Sequence, residues 1–368
     1  MTSNSTRFRK KALLPLLALA SVAAWMWLQP NSIAQTSGTG NMGTVEKIKV
    51  HGSSLEGNLE GDPAERDVYV YLPPSYASQS NRRYPVMYFI HGYGATAEAY
   101  WKLMTVPATA DKLMNSGTVR EMILVHPDAH TLYDGSMYSD SPTTGNWEGY
   151  ITHDLVAYID SHYRTIASPE SRGLAGHSMG GYGTLRLAMK YPGIFSSIYA
   201  MSSCCLMNNP SASPTPASGA QTAGNRVSTE SPQAARAHGV FRNLRSAEAA
   251  AWSPDPRNPP KFFDLPVEDG TVHPQIAAKW IANSPLAFVD QYASNLKKYH
   301  SIRMDVGDKD NLAATNKLMD ESLTRLGVTH TFEVYEGTHG NRVRERFETQ
   351  VLPFFSQNLA SGPEQGSR

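Results

Sequence analysis

From residue 47 onward, short apolar or β-branched runs alternate with longer stretches in which apolar positions recur every three or four residues. Residues 47–51 and 67–72 alternate or are β-branched and predict two early strands. Residues 84–90 (Y-P-V-M-Y-F-I) and 122–126 are continuous apolar runs, the pattern of strands covered on both faces. Between 149 and 164 the period lengthens to that of a helix, with Ile151, Leu155, Val156, Ile159 and Tyr163 in phase. The pattern then predicts a strand at 172–176, a helix at 179–190 and a strand at 194–202. Ser284-Pro285 places a cap before a first-turn proline, so a helix starts there. Strands at 301–306 and 330–335 flank a helix at 311–326, and a last helix runs over about 342–359. This rhythm predicts an α/β fold, with one mostly parallel central sheet and helices on both faces.

One segment breaks it. Residues 206–275 hold 10 of the 24 prolines, with a Ser/Pro/Ala/Thr-rich stretch at 208–231. Proline at that density argues against another sheet unit and predicts an irregular, partly disordered insertion. Trp252, Phe262 and Phe263 give its second half apolar groups to dock, as a wall or lid near the cleft.

The 368 residues carry 33 Lys+Arg against 33 Asp+Glu, which removes the basic excess of a nucleic-acid binder. The balance hides an asymmetry. Residues 1–34 contain Arg7, Arg9, Lys10 and Lys11, no acid, an apolar run at 12–28, and a small-residue end at Ser32-Ile33-Ala34. That order is a secretory signal peptide, cut after Ala34. The alternative is a retained anchor, for which a 17-residue run containing Pro15 is marginal. Removal leaves 29 basic and 33 acidic residues on a secreted or periplasmic chain with no stable membrane insertion. The expected organisation is a signal at 1–34, a flexible tether at 35–45, a catalytic domain at 46–360 and a disordered tail at 361–368. The two cysteines, Cys204 and Cys205, are adjacent and read as buried thiols, because neighbours bridge only with strain.

Candidate chemistry centres on Gly176-His177-Ser178-Met179-Gly180, a G-x-S-x-G sequence between a predicted strand and a predicted helix. In that setting the chain turns sharply and lifts a serine Oγ above the sheet. A serine needs a base, and the base an orienting acid, in the order Ser, Asp or Glu, His. His339 follows the strand at 331–335 and precedes the last helix. The acid should follow the strand at 301–306, where Asp308 and Asp310 both lie, and spacing does not separate them. The oxyanion needs two N–H donors: Met179, at the helix start, and Tyr93, in the His91-Gly92-Tyr93-Gly94 loop. Trp101, Tyr138 and Trp147 are candidates for the substrate pocket. His126 and His130 read as cleft lining rather than metal ligands, and this chemistry calls for no cofactor.

The stretches at 84–94, 146–164 (N-W-E-G-Y-I-T-H-D-L-V-A-Y-I-D-S-H-Y-R) and 175–192 (A-G-H-S-M-G-G-Y-G-T-L-R-L-A-M-K-Y-P), with the two later loops, carry a family resemblance. The chain resembles the esterase family of α/β-hydrolases that includes esterase D, bacterial feruloyl esterases and the antigen 85 mycolyltransferases. The likeness covers about 45–359, apart from the insertion. It implies an α/β-hydrolase fold with Ser178 as nucleophile and His339 as base. Members place the acid three residues after the glycine that ends its strand, which selects Asp310. Many also carry an aromatic residue shortly after the histidine, where this chain has Gly340, Asn341, Arg342 and Val343. The resemblance thus implies a serine-dependent carboxylic ester hydrolase whose partner is an ester substrate, small or polysaccharide-borne. Export argues against an S-formylglutathione role. Acyl transfer to a sugar or lipid hydroxyl by the same residues, and a non-catalytic binding role, are the alternatives.

Overall fold

The computed structural model describes residues 42–208 and 244–362. The expected signal, the tether through residue 41, the proline-rich first half of the insertion and the tail beyond 362 lie outside the described residues.

Eight strands build one sheet: β1 (Thr44–His51), β2 (Glu65–Leu72), β3 (Val86–Ile90), β4 (Ile123–Pro127), β5 (Arg172–His177), β6 (Ser197–Met201), β7 (Ser301–Gly307) and β8 (Thr331–Tyr335). Their spatial order is β1-β2-β4-β3-β5-β6-β7-β8. β2 runs antiparallel to both neighbours, and every pair from β4 to β8 is parallel. The continuous apolar runs follow from this. Along β3, Val86, Tyr88 and Ile90 enter one core with Leu174 and Ile198, while Met87 and Phe89 enter the opposite core with Ala175 and Tyr199. A strand feeding two cores has no polar face to show.

The expected tether is shorter than predicted. Thr44 and Val45 already pair with Leu72 and Tyr71 in β1. Of the β1 residues only Val50 is buried, so this edge strand lacks the apolar alternation that would have extended it in the sequence.

Helices cover both faces. Two between β3 and β4, α1 (Ala97–Leu103) and α2 (Val106–Asn115), are additions to the predicted set. α3 (Leu155–His162) continues from helical turns at Trp147–Gly149 and Tyr150–Asp154, and α4 (Met179–Lys190) follows β5 at once. Later come α5 (Leu244–Trp252), α6 (Pro274–Ala282), α7 (Ala313–Arg325) and α8 (Leu352–Asn358). The described part of the insertion is irregular only in part: it supplies α5, the hairpin Val267–Glu268 with Thr271–Val272, and the first residues of α6, with turns over 253–266 between α5 and the hairpin. The alanines at 247 and 249–251 favour helix strongly, and the proline count masked them. Trp252 anchors α5, with its ring 5.8 Å from Tyr182 and 5.5 Å from Trp280, and its Nε1 donates to Ser139 Oγ at 3.3 Å. Among the described residues no helix is long and apolar enough to cross a membrane.

Buried charge ties the sheet to its helices. Asp305, on β7, has a fully buried carboxylate that accepts from Arg346 Nε at 2.9 Å and from Tyr199 OH at 2.7 Å. Arg346 also reaches Glu333 on β8 at 2.7 and 2.9 Å. Burial pushes the Asp305 carboxyl up, and the guanidinium only partly offsets this. Removing one partner of a buried pair strands the other charge, at a cost of roughly 3–5 kcal/mol. Arg346→Met should therefore lower the unfolding free energy by about 3–5 kcal/mol in urea titrations, and an unchanged midpoint would contradict this account of the β7–β8 edge.

Candidate active site

Ser178 lies between β5 and α4 with φ 59° and ψ −114°, a backbone conformation that L-residues adopt only when the surroundings impose it. The surroundings are backbone. A Cβ on Gly176 would stand 2.4 Å from the carbonyl oxygen of Gly180, and one on Gly180 would stand 2.0 Å from that of Ile90. Both contacts are below any real Cβ separation and both are with main chain, so only glycine fits at either position. The Ser178 N–H donates to Met201 O at 2.9 Å, holding the turn against β6. α4 is anchored in turn by Glu148, whose fully buried carboxylate accepts from Arg186 Nε at 2.7 Å and Tyr191 OH at 2.8 Å and pairs with Lys190. Burial alone would raise the Glu148 carboxyl. The two cations outweigh it and hold the group below its ordinary range.

His339, on the loop after β8, brings Nε2 to 2.9 Å from Ser178 Oγ and Nδ1 to 2.8 Å from Asp310 Oδ2. A carboxylate only accepts, so Nδ1 carries the hydrogen and Nε2 presents its lone pair to the serine hydroxyl. The Asp310 side chain is fully buried, whereas the His339 side chain is 40% exposed. Burial pushes the Asp310 carboxyl up, but hydrogen bonds from His339 and from the Leu312 N–H at 2.9 Å win and hold it below the usual carboxylate range. The geometry separates the two candidate acids. Asp308 is exposed and accepts from the Gly337 N–H at 2.9 Å, so it shapes the loop that carries His339 without meeting its ring.

Met179 is the first residue of α4, so its N–H has no acceptor within the helix and points out at the positive end of the helix dipole. The loop after β3 lies alongside. A Cβ built on Gly92 would sit 3.3 Å from the Ser178 Cβ, which places the residue before Tyr93 against Ser178. Buried groups hold this loop from beneath. His91 Nδ1 meets Gly92 O at 2.9 Å and Nε2 accepts from the Ala129 N–H at 2.8 Å, a pattern that one neutral tautomer satisfies. Burial lowers the His91 pKa and keeps it neutral. Tyr138 OH donates to His91 O at 3.0 Å.

The three aromatic candidates for the substrate pocket are corrected. Tyr138 and Trp147 are at most 1% exposed, and Trp101 is 7% exposed. Trp101 packs on Tyr69 and His126, with centroids 5.4 and 5.0 Å away, in the core on the α1 side of the sheet. Trp147 donates from Nε1 to Thr144 O at 2.8 Å inside the other core. Aromatic character marks apolar area, and nothing local in the sequence says whether that area faces ligand or protein. His126 is likewise core rather than cleft lining. It stacks on Phe89 at 5.3 Å, and burial lowers its pKa to about 3. His130 sits 3.5 Å from Asp134. Among the described residues no group of three or more His, Cys, Asp or Glu side chains is arranged to hold a metal ion.

A family model described as Esterase, "Putative esterase", matches residues 63–352. Esterase Rv1288 of Mycobacterium tuberculosis (strain ATCC 25618 / H37Rv) is 34% identical over 131 residues, covering 35% of this chain and 27% of that protein. An endo-1,4-beta-xylanase/feruloyl esterase of Xylanibacter ruminicola is 30% identical over 132 residues, 34% of this chain and 18% of that one. The chain thus spans about a quarter of the length of the curated relatives it first matches. A solved ferulic acid esterase superposes with a TM-score of 0.61 at 22% identity, covering 86% of this chain and 99% of its own. An S-formylglutathione hydrolase from Agrobacterium tumefaciens gives 0.55 at 16% identity, covering 88% and 98%. At those identities the two structures establish the α/β-hydrolase fold.

The Asp310 contact generates a direct comparison. Sulfonylation of Ser178 by phenylmethylsulfonyl fluoride should slow at least about 100-fold in Asp310→Asn, because the amide disfavours the required tautomer. Asp308→Asn should stay within roughly threefold of the parent, since its side chain touches only the loop backbone. Equal loss in both variants would contradict the assignment of the acid.

Proposed function

The chain belongs to the Putative esterase family, and on that premise we propose that it is a serine-dependent carboxylic ester hydrolase. The observation that carries the proposal is the chain of two hydrogen bonds, 2.9 and 2.8 Å, from Ser178 through His339 to Asp310 at a strained strand-to-helix turn. Ser178 Oγ attacks the ester carbonyl carbon while His339 Nε2 takes the hydroxyl proton. Asp310 holds the ring in the needed tautomer and stabilises the imidazolium that forms. The N–H groups of Tyr93 and Met179 receive the oxyanion, and each such donor supplies roughly 2.7–4 kcal/mol of transition-state stabilisation.

The tetrahedral intermediate then collapses. The C–O bond to the alcohol breaks, the imidazolium proton goes to the leaving oxygen, and the acyl group remains on Ser178. Water repeats the sequence: His339 takes its proton, the hydroxide adds to the acyl carbon, and Ser178 leaves with the proton restored. No redox step occurs, and every proton is handled by one imidazole.

The matched relatives named as feruloyl esterases make esters of hydroxylated aromatic acids the first substrates to try. The leader-like residues 1–34 support export to a secreted or periplasmic location. On the same reading residues 44–360 form the catalytic domain, and α5 packs against α4 through Trp252 and Tyr182.

Ser178→Ala should lower kcat for a 4-nitrophenyl ester by at least about 10⁴-fold, since removing the nucleophile alone disables the whole triad. The thermal midpoint should move little. A well-folded Ser178→Ala protein with parental turnover would overturn the reading.

A further inference from the structure

We propose that His177, the residue between the turn glycine and Ser178, is a positioning residue that fixes the height of His339 over the serine. The proposal rests on reading the site as a serine esterase. His177 is 3% exposed, and its Nε2 lies 2.7 Å from the backbone carbonyl oxygen of His339 itself. A carbonyl oxygen only accepts, so Nε2 must carry the hydrogen. Nδ1 is then an acceptor, and the Tyr100 hydroxyl meets it at 2.6 Å. One neutral tautomer satisfies both bonds, and Tyr100 O–H selects it.

The two bonds join three pieces of chain. Tyr100 belongs to α1, directly after the loop that carries Tyr93, His177 ends β5, and His339 sits after β8. The other main-chain hydrogen bonds of the His339 loop run within it or to the loop after β7: Gly337 N–H to Asp308 at 2.9 Å, Lys309 N–H to Gly337 O at 2.9 Å and Thr338 N–H to Asn341 at 2.8 Å. His177 is the buried tie from the serine side. It acts on the main chain of the base, so it sets where the ring starts, while Asp310 sets how the ring turns.

Charge does not disturb the tie. Burial and then the neighbouring His339 lower the His177 pKa to about 3, with Asp310 opposing. The group therefore stays neutral, and Nδ1 stays an acceptor, at any pH well above that value. The rings of His177 and His339 are 4.8 Å apart between centroids, close enough that a second cation there would oppose the imidazolium.

The test uses three variants of the full chain and an aryl ester. His177→Phe fills the space and removes the donor. Its kcat should fall about 10- to 100-fold with KM within roughly threefold, because a misplacement of about 1 Å at a reacting group costs on the order of 10². His177→Gln offers an amide N–H at nearly the Nε2 position and should recover kcat to within about fivefold of the parent. Tyr100→Phe loses one oxygen and releases the tautomer, so kcat should fall about three- to tenfold. If His177 served packing alone, the Phe and Gln variants would lose kcat equally, or the Phe variant would keep it, and either result overturns the proposal. Should His177→Phe fail to fold, Tyr100→Phe decides, and an unchanged kcat there overturns it. A parent chain that hydrolyses no ester would instead overturn the esterase reading, which separates the two failures.

Discussion

At Ser178 the chain passes so close to itself that only main chain and glycine fit, and the rest of the site is arranged around that crossing. Gly176 faces the carbonyl of Gly180, and Gly180 faces that of Ile90. The close approach forces Ser178 into a left-handed φ and lifts Oγ off the sheet. It also starts α4 at the next residue, so the helix's first free N–H and its positive end lie beside Ser178. A strained serine costs of order 1–3 kcal/mol, which the packing of β5 and α4 into both cores must offset. The strand order explains why the crossing falls where it does. The chain moves outward from β3 to β4 on one side and from β5 to β6 on the other, which opens a crevice beyond the carboxyl ends of β3 and β5. That reversal is where ligands bind in open α/β sheets. The Tyr93 loop leaves β3 and Ser178 leaves β5, while Asp310 and His339 arrive from β7 and β8.

The support is built from buried polar groups that are paired or neutral. Glu148 is surrounded by Arg186, Lys190 and Tyr191 under α4, and Asp305 meets Arg346 and Tyr199 under the β7–β8 edge. His91 and His177 are held neutral by burial and each uses both ring nitrogens: His91 meets Gly92 O and the Ala129 N–H, and His177 meets His339 O and the Tyr100 hydroxyl. In a low dielectric such hydrogen-bonded groups fix a geometry firmly. On the proposed reading, rigid supports of this kind let N–H donors wait at the positions where charge would develop, without reorganisation during the reaction.

Much of this was legible in the sequence, because the features concerned are local. The glycines of the turn, the strand before it and the helix after it are contiguous, and His339 and its acid lie in short loops after recognisable strands. Between Asp308 and Asp310 the residue spacing was silent; the family resemblance implies Asp310, and Asp310 is the one whose carboxylate meets the His339 ring. Where the readings failed, the missing information was non-local. Trp101, Tyr138 and Trp147 carry the composition of a pocket, but facing is set by strands and helices far along the chain. α1 and α2 are short, and Thr44 and Val45 at the start of β1 are exposed on the sheet edge, so neither gives a clear period. The prolines of the insertion hid an alanine-rich helix. His177 stood inside the motif all along, yet its partners, Tyr100 and the His339 carbonyl, are distant in sequence and no pattern announces them.

The account stands most directly on whether the Tyr93 and Met179 N–H groups converge on the carbonyl oxygen of an acyl group held by Ser178. A crystal structure of the protein after reaction with a fluorophosphonate would show this. The account predicts phosphorus bonded to Ser178 Oγ, with its free oxygen roughly 2.7–3.1 Å from both backbone nitrogens. Phosphorus on another residue, or an oxygen directed away from those two N–H groups, would contradict it.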